Sequence, residues 1–334
     1  MTDDAKFEGF SQRWKDFPDY IIGITKEIWE ERGIESLERT YGKDLIVRTP
    51  TGLQLGNQQV IASTMATVHE FPDRELFGED VIWSEAEPGY YLSSHRVLTT
   101  GTHSQDGAFG PATGKRFTAY VIADCAARGD TIDDEWLVRD YGGIVRQLGG
   151  DPRAFAQDLI DAQGGPTSAA PAFTPAMDVA GPYLSKGNDN PWGERFASIL
   201  SRLANKEFNI IPELYDRAAH GHYSGGVHAL SWGPIDRHWV GLMSSFPDAE
   251  FKVHHVIGMD GDEFLPPRAS VRWSLDGSHS GWGAFGKPTG VPVHVMGMSQ
   301  CEFGPFGDRA PTIRHEWTLY DEVSIWKQIL MGSA

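Results

Sequence analysis

Hydrophobic positions along the chain change their period within each half. At Tyr20, Ile21, Ile24, Ile28 and Trp29 they recur every three or four residues, and the spacing returns at Phe196, Ile199, Leu200 and Leu203. Both runs predict amphipathic helices. Asp189-Asn190 ahead of Pro191-Trp192 marks the start of the second one. Short helices are expected near Ile34–Tyr41 and Asn209–Tyr215, and IDRHWVGLM, which contains His238, is helical in pattern. The pattern then turns strand-like. LIVRT, ELFGEDVIW, YYLSSHRVLTTGTH, RFTAYVIADCAA and DEWLVRD fill the first half; EFKVHHVIG, RASVRWSLDGSH, VPVHVMGMSQCEF and IRHEWTLYD fill the second. Each half closes on a short helical tail, YGGIVRQLG and EVSIWKQIL. Helices followed by strands joined by glycine-rich turns predict an α+β fold with an antiparallel sheet.

The two halves are copies. FPDRELFGEDVIW at Phe71 answers FPDAEFKVHHVIG at Phe246; RVLTTGTHSQDGAFGPATGK at Arg96 answers RWSLDGSHSGWGAFGKPTGV at Arg272; DEWLVRDYGGIVRQLG answers HEWTLYDEVSIWKQIL. The offsets are 175, 176 and, in the closing motif, 181, which places a short insertion, CEFGPFGDRAPT, in the second copy. A period this long excludes a solenoid and predicts two homologous domains. The expected boundaries are 1–150 for the first and 191–334 for the second. Between them, 151–190 reads as a Pro/Ala/Gly-rich linker with one short helical piece, PRAFAQDLIDAQ; such composition spans distance without building a core.

Charge and cysteine content narrow the partners. The chain has 29 basic and 46 acidic residues, a net charge of −17, which disfavours nucleic acid and anionic membrane and leaves small molecules as the expected partners. MTDDAKFEGF lacks the basic and apolar regions of an export signal, and no apolar run approaches the roughly 18 residues of a membrane span, so a cytoplasmic protein is expected. Two cysteines exclude a disulfide scaffold. Cys125 and Cys301 lie 176 apart, one position seen twice, expected in separate domains and unbridged. Each reads as a small core residue or as a pocket thiol.

Other candidate residues also fall in repeated pairs. His103 and His279 stand in a G-[TS]-H-S turn, exposed or serving as a proton shuttle. Arg96 and Arg272 bind an anionic group or pair with strand acids. Trp136 and Trp317 share strand parity with Asp140 and Asp321, so they line a pocket or the core beneath it, with Glu135 and Glu316 facing the other way. Trp273 and Trp282 offer flat apolar walls, Trp282 as a lid or an exposed contact. Arg48 aligns with His222 in the polar lining of the two copies.

Nine of the 12 histidines lie at or after His220. HGHYSGGVH (His220, His222, His228) suggests metal ligation, because imidazoles are common ligands. An H-x-H pair turns both rings one way only in extended backbone, which Gly221 leaves open, and His222 aligns with Arg48 of the first copy, so no metal is expected; nor is a cofactor. His254 and His255 alternate faces, and His294 aligns with Thr118. Neither a phosphate loop nor a GxSxG nucleophile elbow is present.

The order of helices, sheet and closing EW-x(3)-D motif resembles the nuclear transport factor 2-like superfamily, and more narrowly the SnoaL-like polyketide cyclase or ester cyclase branch. GTHSQDGAFGPATGK, GSHSGWGAFGKPTG, EWLVRDYGGIVRQLG and EWTLYDEVSIWKQI carry the resemblance, which covers close to 270 of 334 residues. It implies two tandem cone-shaped α+β barrels, each with helices packed on a curved sheet around a pocket. It further implies a dimer through the sheets, here with an intrachain pseudo-dimer of the two domains within a homodimer. In SnoaL-like cyclases an Asp near this strand end is the general acid/base, which points to Asp140 and Asp321. The competing reading of each is a cap on the closing helix. The expected function is cofactor-independent, Asp-assisted proton transfer on a small carbonyl-bearing molecule, of cyclase, isomerase or lyase type. The alternatives are a non-catalytic ligand-binding or assembly module of this fold and a hydrolase in a catabolic pathway.

Overall fold

A computed structural model of the chain describes residues 9–304 and 310–334. Most of the start, and positions 305–309 within the insertion of the second copy, lie outside the described residues. The chain divides into two compact units. One comprises the described residues up to Arg48 with Leu53–Leu137 and Asp178–Gly187; the other comprises Thr49–Gly52, Val138–Met177 and the described residues from Asn188 onward.

In chain order, the first copy holds α1 (Phe17–Trp29), α2 (Leu37–Thr40), β1 (Tyr41–Thr49), β2 (Gly52–Leu55), α3 (Asn57–Glu70), β3 (Glu75–Glu87), β4 (Tyr90–Thr102), β5 (Arg116–Arg128), β6 (Thr131–Arg139) and α4 (Tyr141–Gln147). α5 (Pro152–Ala162) follows. The second copy holds α6 (Pro191–Ala204), α7 (Ile211–Leu214), β7 (Tyr215–Tyr223), β8 (Val227–Leu230), α8 (Trp232–Ser245), β9 (Glu250–Met259), β10 (Arg268–Ser278), β11 (Pro292–Gly304), β12 (Thr312–Tyr320) and α9 (Glu322–Gly332). The sheets have matching orders, β2-β1-β6-β5-β4-β3 and β8-β7-β12-β11-β10-β9. The fold is α+β, one six-stranded architecture used twice.

Both sheets are mixed rather than antiparallel: β1 runs parallel to β6, and β7 parallel to β12. The pattern of side chains marks a strand and leaves its direction open. α3 was not expected; it buries only Asn57, Thr64 and Glu70, so its apolar period is faint. α1 and α6 behave as read. Asp16 caps the first through the amide of Asp19 at 2.9 Å, and Asn190 caps the second through that of Trp192 at 3.0 Å.

In the first unit, Phe17, Tyr20, Ile21 and Ile24 of α1 pack on the sheet face that carries Val81, Tyr91, Val97, Ala123, Cys125 and Leu137. In the second, Phe196, Ile199, Leu200 and Leu203 of α6 meet Val271, Trp273, Leu275, Val295, Cys301 and Tyr320. Each buried large side chain contributes about 1.5–3 kcal/mol.

The linker expectation fails on packing. Ala156, Ile160, Ala169, Ala172 and Phe173 are all buried, and α5 lies against α9 within the second unit. Small alanines with one Phe dock closely, whereas their composition alone reads as a spacer. No helix among the described residues is long and apolar enough to cross a membrane.

Candidate functional site

Asp140 and Asp321 sit at matching places, each capping the helix after the closing strand, yet their surroundings differ. Asp140 accepts the amide of Gly143 at 2.9 Å, as a cap does. Within the second unit the same carboxylate also takes the amides of Gly225 and Gly226, both at 2.7 Å. Those glycines form the β7–β8 turn with φ of +83° and +69°, a left-handed run that turns consecutive amides toward one anion. Gly143 is required by the clamp, because a Cβ there would stand 2.3 Å from Asp140 Oδ2. Burial still outweighs the three amides and pushes the Asp140 carboxyl up to about 6.

Asp321 accepts the amide of Val323 at 2.9 Å and the hydroxyl of Ser324 at 2.6 Å. By the repeat, the counterpart of the Ser224-Gly225-Gly226 turn is Pro50-Thr51-Gly52. Pro50, the counterpart of Ser224, lies beside Asp321, whose hydrogen bonds come from Val323 and Ser324 of its own helix rather than from this turn. In place of a clamp there is a small cleft, with room for about one water-sized group, lined by Pro50, Phe173, His294, Val295, Met296, Asp321, Ser324 and Ile325. Burial raises the Asp321 carboxyl to about 7, with Asp140 and Glu322 adding repulsion. At that value the group exchanges a proton in either direction near neutral pH.

The second polar group of the cleft is His294. Its Nδ1 is 2.7 Å from Asp276 Oδ1, which orients the imidazole and leaves Nε2 for another partner. Gln328 braces the backbone of His294 on both sides, accepting its N–H at 2.8 Å and donating to its carbonyl at 2.9 Å. Behind Asp276, Ser274 donates to its second oxygen at 3.3 Å and lies 2.8 Å from His254. Burial lowers His254 to about 4, so it stays neutral at pH 7. The space admits a group of about the size of one water, such as a single carbonyl oxygen, rather than a whole ligand.

The other predicted residues are distributed as follows. His103 is fully buried, with Nδ1 3.2 Å from Thr113 and Nε2 3.2 Å from Glu70 Oε1; Glu70 in turn accepts the amides of Ala108 and Phe109. This arrangement braces the glycine-rich loop. His279 is equally buried, 3.1 Å from Thr289, and burial holds it below the usual imidazole range. Arg96 is buried and pairs with Glu79 at 2.8 Å. Arg272 is buried close to His254 and His255; burial, with the Arg272 charge second, holds both below the usual imidazole range. Trp273 is a core residue, its Nε1 donating to Ser299 at 2.9 Å, and Trp282 is 71% exposed. Cys125 and Cys301 are free and buried in the cores, and burial pushes both thiols up.

The parity expected for the closing strands is reversed. Leu137 shares its side of β6 with Glu135, and Leu137 belongs to the core; Tyr320 shares its side of β12 with Glu316. Trp136 and Trp317 therefore face outward. Trp136 lies under the Arg48 guanidinium, 4.6 Å from its ring, and Arg48 is taken up by Asp134 and Asp178. Trp317 stacks on His222 at 5.6 Å. Glu316 is wholly buried and accepts Tyr223 Oη at 2.9 Å and Thr318 Oγ1 at 2.6 Å; desolvation raises its carboxyl. Counting parity from Leu137 instead of from Asp140, which lies beyond the strand, would have found these glutamates.

No protein-family model matches the chain, and no curated protein matches it. Solved structures resemble about 40% of it. IdmH of Streptomyces antibioticus, described as a candidate polyketide cyclase, is 20% identical over 40% of this chain and 97% of its own, with a TM-score of 0.34. A SnoaL-like polyketide cyclase of Agrobacterium tumefaciens is 18% identical over 42% and 98%, at 0.31. TsrD of Streptomyces laurentii is 19% identical over 40% and 93%, at 0.33. The similarity to SnoaL-like polyketide cyclases is one of fold alone.

Proposed function

We propose that the chain is a cofactor-independent enzyme that moves a proton on a small carbonyl-bearing molecule, with Asp321 as general acid/base. The observation that carries this reading is a buried carboxyl at about 7 facing a cleft it shares with an oriented imidazole. As carboxylate, Asp321 takes a proton from carbon next to a carbonyl; as acid, it returns the proton to a different atom. His294 supplies the second polar contact, at the carbonyl oxygen where negative charge develops. Phe173, Val295, Met296 and Ile325 keep the site apolar and so hold the carboxyl poised. Cyclisation, isomerisation and elimination all use this apparatus.

Asp140 has the part of a clamp, since its carboxylate is engaged by three amides. That engagement, with the buried bracing of His103 and His279, favours a second reading in which the fold binds a ligand without chemistry. A library of small carbonyl compounds, screened by thermal shift against wild type, Asp321→Asn and His294→Ala, tests the proposal. Stabilising compounds should lose their effect in both variants. Compounds that stabilise all three proteins equally would place binding elsewhere and sink it.

A further inference from the structure

The second copy carries four histidines on the outer face of its sheet. β7 is extended through Gly221, so His220 and His222 point to one side, the condition the sequence left open. His228 of β8 stands opposite His222, and His315 of β12 stands opposite His220. His220 Nδ1 and His228 Nε2 are 3.2 Å apart. Two imidazole nitrogens on one tetrahedral ion, with bonds of about 2.0–2.1 Å, lie roughly 3.3–3.4 Å apart. The pair is thus spaced for a shared cation almost without movement.

The surroundings complete the arrangement. His315 Nδ1 is 2.8 Å from Glu302 Oε2, the carboxylate–imidazole pairing that turns the other ring nitrogen into a ligand. Its ring centre is 5.4 Å from that of His220. His222 stacks between His228 and Trp317, at 4.7 Å and 5.6 Å, and backs the cluster with flat surface. His228 is exposed, and His220, His222 and His315 are half-buried, so an ion has access. The aligned first-copy positions are Ile46, Arg48, Gln54 and Asp134, none of them histidine.

Among the described residues no three such side chains already converge as metal ligands. The third ligand therefore arrives by rotation of a half-exposed ring, a fast motion. We propose that His220, His228 and His315, with Glu302 behind His315, bind one late first-row divalent cation on this face. Imidazole donors select Zn²⁺, Ni²⁺ and Cu²⁺ over Mg²⁺. The site shares no residue with the Asp321 cleft.

The test uses the untagged full chain, titrated calorimetrically with ZnCl₂, NiCl₂, CuCl₂ and MgCl₂ at pH 7.5 and 5.5, with bound metal counted by mass spectrometry. One late-metal ion per chain is expected, weaker at pH 5.5 as the imidazoles protonate, with no Mg²⁺ binding. The double variant His220→Ala/His228→Ala should bind at least tenfold more weakly. His315→Ala should weaken binding too, while His69→Ala, at an exposed histidine elsewhere, should leave it unchanged. Circular dichroism confirms folding of each variant, and His228→Gln is the milder substitute where a variant fails. Affinity unchanged in folded His220 or His228 variants, or equal binding of Mg²⁺, would overturn the proposal.

Discussion

Replacing Asp321 by Asn should stabilise the protein strongly at pH 8 and much less, by about 1.5 kcal/mol, at pH 5. The folded carboxyl titrates near 7, against about 3.9 in an unfolded chain. The folded state thus holds the proton more tightly, so stability is fully present below about pH 4 and is lost as pH rises to about 7. The difference amounts to about 4 kcal/mol of ionisation penalty by pH 8, at 1.36 kcal/mol per unit. Asn carries no charge to bury. It caps α9 as well as Asp does, and its amide nitrogen can donate to Ser324, whose hydroxyl accepts as readily as it donates. Urea unfolding of wild type and Asp321→Asn at both pH values reads the effect. With a slope of about 3 kcal/mol per molar urea, the midpoint at pH 8 should rise by up to about 1.4 M. Equal destabilisation at both pH values would refute the reasoning, because it would mean an ordinary ionised carboxylate stabilising its helix.

The other predictions concern the frame around the cleft. Asp140→Ala strands the amides of Gly143, Gly225 and Gly226 and should lower stability by about 3–5 kcal/mol, with hydrogen exchange speeding first at the β7–β8 turn. Gly297→Ala would place a methyl group 2.2 Å from the Trp273 ring, which Ser299 fixes; a loss of about 1–3 kcal/mol and a shifted near-ultraviolet signal are expected in thermal melts. Both cysteines should be inert to a thiol reagent in the native protein and react together on unfolding; a fast-reacting native thiol would contradict their burial.

Local pattern carried much of the fold. The repeat, the α1 and α6 faces and most strands show in residue spacing, because each is written in contiguous side chains. α3 did not show because its buried positions are polar or small, and the packed linker did not because alanine reads the same in a spacer and at a close contact. Of the candidate site, Asp321 was legible from its motif. Its partners were not: Pro50 and Phe173 come from the first copy's turn and the linker, and His294 drew attention only as the counterpart of Thr118. What separates Asp321 from Asp140 is where their hydrogen bonds come from: Asp140 takes the amides of Gly225 and Gly226, far away in the chain, whereas Asp321 is held by Val323 and Ser324 of its own helix beside an open cleft.

Deuterium uptake from D₂O tests the central claim most directly, since it detects proton abstraction from carbon without knowledge of the product. Ketones and β-dicarbonyl compounds that shift the melting of the wild-type protein would be incubated with wild type, Asp321→Asn and His294→Ala and followed by NMR. Wild type should catalyse exchange next to the carbonyl, Asp321→Asn should lose about 10²–10⁴-fold, and His294→Ala should retain part of the rate. Exchange that proceeds equally well in Asp321→Asn would contradict the assignment of the acid/base to this carboxyl.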